Sequence, residues 1–225
     1  MNYWLRILYR ALGAGAAEAT DDLLAEQRLR RTLLAAPAGE LVSLSENSFA
    51  RIAGTVRPLA HRVLTAPLSG RRCVYWSVSV TEVSGSERHD QGRGIGGEGD
   101  RIPFVLDDST AQAVIDPEHA EISVPYDYPS TSHGASYADL EQLGVLERLR
   151  LWHRDAYRFE TKSLRYRECV IEAGHEIVVL GAGMLEADPE ANPLGMYRQG
   201  QPLRLRFGGT AKQPLVIRAR RSSLR

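Results

Sequence analysis

The sequence predicts a mainly β fold of the α+β class: a barrel-like β domain with one inserted helix, preceded by N-terminal helices. Three observations predict it. Between residues 41 and 217, short β-branched runs recur between Gly/Pro-rich loops, the rhythm of barrels and sandwiches. The longest run, from Cys73 to Val83, alternates through Val78, Val80 and Glu82, as a half-buried strand does. One stretch, 137–152, breaks the β pattern with Leu140, Leu143, Leu146 and Leu149, which reads as an amphipathic helix.

The elements follow in order. Residues 1–36 read as helical, and 1–40 form a segment separate from the β domain at 41–225. Trp4, Leu5, Leu8 and Leu12 fall near one face; Arg6 and Arg10 lie four apart on another. Gly13 and Gly15 weaken that helix. A second helix starts at Thr20, whose hydroxyl can cap, with Asp21 and Asp22 at the positive end of the dipole. Pro37-Ala-Gly39 ends it. Strands are then expected at 41–44, 50–56, 62–65, 73–83, 102–106, 112–115 and 121–124. Residues 84–101 and 125–136 read as exposed loops, the first rich in Gly, Ser and charge. After the helix, strands are expected at 157–160, 167–171, 176–181, 203–207 and 214–217, with a loop over 187–200.

Composition narrows the function classes. The chain has 225 residues, 43% hydrophobic and 25% charged, ordinary for a globular protein. Formal net charge is zero, so no global field favours nucleic acid. Lysine occurs only at 162 and 212; with abundant Arg, Ala and Gly, this usage is associated with GC-rich bacterial genomes. Cys73 and Cys169 lie in apolar runs and read as reduced core thiols in a cytoplasmic setting. No window approaches a membrane span, and Arg6 and Arg10 interrupt the run that a signal peptide would need.

Candidate chemistry is sparse. Gly92-Arg-Gly94-Ile-Gly-Gly97 satisfies G-x-G-x-x-G but is followed by Arg101-Ile-Pro-Phe rather than a helix, so a hairpin loop is preferred to a dinucleotide site. Cys73 beside Val74, Tyr75 and Trp76 reads as buried, which quiets a thiol. Asp107, Asp108, Asp116 and Glu118 supply hard oxygens for a divalent cation; turn chemistry is the stronger reading for the first pair. His89-Asp90 and His153-Arg-Asp155 have no metal-ligand spacing. No catalytic, cofactor or metal residues are therefore assigned. Glu168, in Arg165-Tyr-Arg-Glu168, is a candidate polar site, with a structural ion pair as its first reading. Trp4, Leu5, Arg6, Leu8 and Arg10 are candidate contacts to a membrane surface or a partner; a helix face packed on the β domain is an equal alternative. The Arg-rich tail adds at most weak electrostatic attraction.

Taken in order, several segments resemble the GIDE domain, also called the BAM ("beside a membrane") domain, of a mitochondrial outer-membrane ubiquitin ligase and bacterial relatives. They are the Gly54 strand, Ala66-Pro-Leu-Ser-Gly70, Cys73-Val-Tyr75, Pro103-Phe104 with Leu106-Asp107-Asp108, and Val114-Ile-Asp-Pro117. Arg167-Glu168, Glu172-Ala-Gly174 and Ile177-Val-Val-Leu-Gly181 complete the set. The resemblance implies a mainly β module beside a membrane that contacts proteins, and it places a glutamate at 168. It supplies no active site. Ubiquitin transfer in that family belongs to a separate RING, which needs about eight zinc ligands, and this chain has two cysteines and no C-x-x-C. The expectation is a non-enzymatic protein-interaction module without cofactor, cytoplasmic and peripheral to the inner face of a membrane. The alternatives are a component of an E3 ubiquitin-ligase-like system, or a small-ligand sensor with the helix at 137–152 as a lid on the barrel mouth.

Overall fold

The computed structural model describes residues 35–83, 92–133, 138–150, 163–188, 203–210 and 213–219. The expected N-terminal helices, with Trp4, Leu5, Arg6, Leu8 and Arg10, lie outside the described residues, as does the expected strand at 157–160. Thirteen strands are described: β1 (Phe49–Pro58), β2 (Leu64–Thr65), β3 (Arg72–Cys73), β4 (Tyr75–Val83), β5 (Gly92–Arg101), β6 (Phe104–Asp107), β7 (Gln112–Asp116), β8 (Ala120–Ser123), β9 (Tyr128–His133), β10 (Ser163–Ile171), β11 (Glu176–Ala187), β12 (Leu203–Gly208) and β13 (Leu215–Ala219). One α-helix, α1 (Leu140–Arg148), lies between β9 and β10. The fold is mainly β, as expected. No helix of the described residues is long and apolar enough to cross a membrane.

Sequence patterning groups 41–225 together, but the described chain divides into two compact units. One holds residues 35–63, 101–125 and 171–219; the other holds 64–100 and 126–170.

The first unit is a closed five-stranded barrel. β1 pairs antiparallel with β6, β6 with β7, and β12 with β11, while β7 and β12 run parallel. Pairing of Phe49–Thr55 with Ala182–Glu176 closes the ring. Numbered along the chain, the ring runs first, second, third, fifth, fourth and back to first, with the third and fifth strands parallel: the connectivity of OB-type Greek-key barrels. Outside the ring, β13 pairs antiparallel with β11, and β8 runs parallel to β13. The other unit is made from the two excursions of chain between the first and second and between the third and fourth barrel strands.

Period-two burial drives the barrel. Ala50, Ile52 and Val56 of β1 are buried, and so are Leu106, Ile115, Ile177, Val179, Phe207 and Ile217 of the strands in the same sheet. Gly54 sits where β1 leaves β11 for β6. A Cβ there would lie 2.6 Å from the Asp107 carbonyl oxygen, so only glycine permits this approach. The expected strand at 41–44 is instead a 3₁₀ turn, Leu41–Ser43. Its first amide is taken by Asp108, whose Oδ2 accepts from Leu41 N at 2.6 Å, so the turn cannot join a ladder.

The second unit has a four-stranded sheet, β5-β4-β10-β9, and a hairpin, β2-β3. Two of its strands correct the sequence reading. Residues 92–101 and 128–133 were expected as loops, yet form β5 and β9. Strand formation here follows from pairing with β4 and β10 rather than from local propensity. Gly99 is required in β5, because a Cβ would sit 2.7 Å from the Trp76 carbonyl oxygen. The helix is capped at Asp139, which accepts from Gln142 N while Gln142 Oε1 accepts from Asp139 N, a reciprocal capping box. Its buried face differs from the expected leucine stripe: Leu140 is 83% exposed, and Gln142, Val145 and Leu146 are buried, with Leu149 partly so. A strict spacing of three drifts around a 3.6-residue helix, whereas 142, 145, 146 and 149 stay on one face. That face packs on Val78, Val80, Leu164 and Tyr166 of the sheet. The helix therefore packs on this sheet.

Candidate functional site

The site with the most built geometry lies in the second unit, around the β2–β3 hairpin. The loop Ala66–Arg71 closes through Ala66 N donating to Arg71 O and Gly70 N donating to Ala66 O. Gly70 takes a left-handed φ of 69°, which glycine adopts at no steric cost. Beneath the loop lies Glu168 of β10, fully buried. Its Oε2 accepts from Leu68 N at 2.8 Å and its Oε1 from Ser69 N at 3.2 Å. The Ser69 hydroxyl donates to Oε1 and accepts from Arg71 Nε at 3.0 Å. Arg71 lies 3.7 Å from the Glu168 carboxylate and makes a bidentate pair with Asp127 at 2.7 and 2.8 Å.

A buried carboxylate is tolerated only when paired and hydrogen-bonded; here two amides, a hydroxyl and a guanidinium meet that need. Sequence reasoning sought its ion-pair partner at Arg165, Arg167 or across the sheet. The observed partner is Arg71, brought from the hairpin by tertiary structure. Glu168 faces the loop rather than solvent, so its role is to hold the loop in one shape.

The other side of the loop forms one wall of an open cleft of about 580 Å³. Residues 64–70, Trp76, Asp100, Glu141 and Arg148 line it. Three sources meet there: the hairpin, the β4/β5 pair and the first and last turns of α1. Asp100 and Glu141 are exposed at the rim. Arg148 pairs with Glu98: its Nε donates to Oε1 at 2.9 Å and to Oε2 at 3.0 Å, and its Nη2 donates to Oε1 at 2.7 Å. Sequence reading singled out the Ala66–Gly70 tract but missed Asp100, Glu141 and Arg148. That tract stood out only through the resemblance, and the other lining residues converge from positions far apart in sequence.

The remaining candidates have structural settings. Cys73 and Cys169 are buried and not joined in a disulfide. Cys73 packs with Ala66 and Val170. Burial, then the charges of Asp127 and Glu168, push the Cys169 thiol up to about 12, far from a reactive thiolate. Gly92, Gly94 and Gly97 lie within β5, so this motif does not open a helix N-terminus for phosphate. Asp107 and Asp108 do the work of a turn: Asp107 Oδ1 accepts from Ser109 N, and Asp108 Oδ1 from Thr110 N, Thr110 Oγ1 and Ala111 N. Asp116 pairs with Arg206 at 2.5 Å. Among the described residues, no group of three or more His, Cys, Asp and Glu could hold a metal ion. His89, Asp90, His153 and Asp155 lie outside the described residues.

The turn carries a pH prediction. The Ser109 amide, Gln112 and Arg57 hold Asp107 below the usual carboxylate value. Burial opposes ionisation of Asp108, but the hydrogen bonds from Leu41, Thr110 and Ala111 outweigh it, and its pKa is also lowered. Depressed folded-state values mean stability that is fully present above the unfolded value, about 3.9, and lost as pH falls through the folded values. Thermal melts should therefore hold level with respect to these groups above about pH 5 and fall between about pH 4 and 2. Asp108→Asn should cost about 1–3 kcal/mol at pH 7 and flatten that acid limb. An unchanged acid limb in the variant would remove the assignment.

Comparison of the chain with family models, with curated proteins and with solved structures finds no match in any of the three.

Proposed function

We propose that this chain is a non-enzymatic protein-interaction module resembling the GIDE/BAM domain, which acts by docking a partner in the cleft beside the β2–β3 hairpin and works at the periphery of a membrane. The observation that carries the reading is the Glu168 latch. A buried carboxylate is spent on fixing the shape of an exposed loop, and that loop forms the wall of a cleft with an aromatic and charged lining. Rigid loops presenting such surfaces are where recognition concentrates. The same tract, Ala66-Pro-Leu-Ser-Gly70 with Glu168, carries the family resemblance. Membership of an E3 ubiquitin-ligase-like system is the second reading, with transfer chemistry supplied by another chain; the resemblance alone favours it.

The test places a photo-cross-linking residue at Thr65, which lines the cleft and is exposed, in the full chain in its host cell. Discrete protein adducts are expected at Thr65 and not when the same residue is placed at exposed Glu121 of β8. Adducts recovered with the membrane fraction and released by salt support the peripheral setting. Equal or absent labelling at the two positions overturns the docking role.

A further inference from the structure

Hydrogen-bonding capacity around the cleft is uneven. The loop Ala66–Arg71 spends its own backbone donors: Ala66 N and Gly70 N close the loop, and Leu68 N and Ser69 N go to Glu168. Pro67 has no N–H to give. The wall that these residues form therefore offers an incoming chain no amide for a ladder. Trp76 differs. Its ring is fixed by packing against the cluster of Leu68 and Val78 and against that of Ala66 and Cys73. Its indole N–H has no acceptor among the described residues, and no buried side-chain nitrogen or oxygen among them lacks a partner. That donor is thus reachable from solvent, on a residue that lines the cleft. Arg148 holds a second donor: Nε and Nη2 go to Glu98, while Nη1 has no acceptor among the described residues.

We infer that the cleft docks a proline-rich segment of a partner protein in the polyproline II conformation. This rests on the docking role proposed above and names the partner's chemistry. A polyproline II helix makes no internal hydrogen bonds, so its carbonyls are free acceptors. Its prolines carry no N–H to bury, and its rings form apolar ridges at about three residues per turn. It therefore complements an apolar wall with spare side-chain donors beside it. Proline rings pack against Leu64, Pro67 and the indole, while Trp76 donates to a carbonyl. The segment is already extended before it binds, so docking costs little ordering entropy. An ordinary extended segment would draw its affinity from main-chain bonds, for which the loop has no donors left. Charge does not decide the choice. Glu141 and Asp100 are exposed at the rim, Asp100 with an interaction of its own, and Arg72 of the hairpin is exposed outside the lining. A neutral segment leaves all three in water.

The experiment uses the full chain and two neutral fluorescent decapeptides. One is proline with leucine at every third position; the other has serine in place of each proline. Anisotropy titrations should show saturable binding of the proline peptide with Kd below about 1 mM, tighter than the serine peptide by about tenfold or more. In proton–nitrogen NMR spectra of the wild type, the Trp76 indole cross-peak should move downfield as the proline peptide is added. Its identity follows by elimination from Trp4→Phe and Trp152→Phe. Trp76→Phe keeps an aromatic ring and removes the donor, and should weaken the proline peptide by about three- to tenfold. If that variant fails to fold, the wild-type cross-peak decides. No binding of the proline peptide up to about 1 mM overturns the inference, as does equal binding of the two peptides. Binding that leaves the indole cross-peak in place, or an affinity unchanged in a folded Trp76→Phe, also overturns it. Each of these failures can coexist with specific cross-linking at Thr65, which would leave the docking role standing; loss of that cross-link removes the role itself.

Discussion

Replacing Glu168 with alanine is expected to destabilise the second unit by about 3–5 kcal/mol, the cost of breaking a buried, hydrogen-bonded ion pair. The loss has named recipients. Leu68 N, Ser69 N and the Ser69 hydroxyl lose their acceptor, and an unsatisfied buried donor costs about 1–3 kcal/mol. Arg71 keeps Asp127, which limits the damage on that side. Glu168→Gln should fall between, because the amide retains one acceptor but turns two donors toward other donors. Denaturant unfolding measures the total, and amide exchange locates it: protection at Leu68 and Ser69 should collapse before that of the barrel strands. A loss under about 1 kcal/mol with protection unchanged would show that the latch does not hold the loop.

Phe207→Ala should cost the barrel a similar amount, about 3–5 kcal/mol. Phe207 is fully buried and lies opposite Gly183 in the β11–β12 ladder. Its ring would be 3.0 Å from a Cβ at Gly183, and Leu215 fills the equivalent space at Gly181. β11 is thus kept bare at two positions so that large side chains from β12 and β13 can lie flat on it. Gly183→Ala should destabilise by about 1–3 kcal/mol through overpacking. Joined to Phe207→Ala, it should cost less than the two singles added, since the new methyl moves into the vacated space. Strict additivity in a double-mutant cycle would argue against the ring-over-glycine contact. These two predictions separate the units: the first reads the inserted excursions, the second the barrel.

The resemblance and the architecture bear on different questions. Ring order and strand directions describe a barrel type, and a barrel type hosts many functions. The functional reading rests instead on the Glu168-latched hairpin and on the motif tract that contains it. The exposed apolar side chains of the barrel unit, Val42, Phe49, Met184, Leu185 and Leu203 among them, carry no part of that reading.

The sequence by itself determined the barrel strands, the helix and the turn at Asp107–Asp108. Each is written locally: β-branched and apolar runs in Ile52–Val56 and Ile177–Leu180, a leucine repeat from Leu140 to Leu149 that marks the helix though not its buried face, and Asp side chains that cap their own backbone two and three residues on. Tertiary structure alone decided three things. It made strands of Gly92–Arg101 and Tyr128–His133, whose composition favours loops until a neighbouring strand supplies the ladder. It divided the chain into two units by interleaving segments, which no local composition marks. It also brought Arg71 to Glu168 across 97 positions of chain, and Asp100 and Arg148 to one cleft. Side-chain periodicity reports which face of an element is buried, because burial repeats every two or 3.6 residues. It does not report what that face meets, because the partner is chosen by the path of the whole chain.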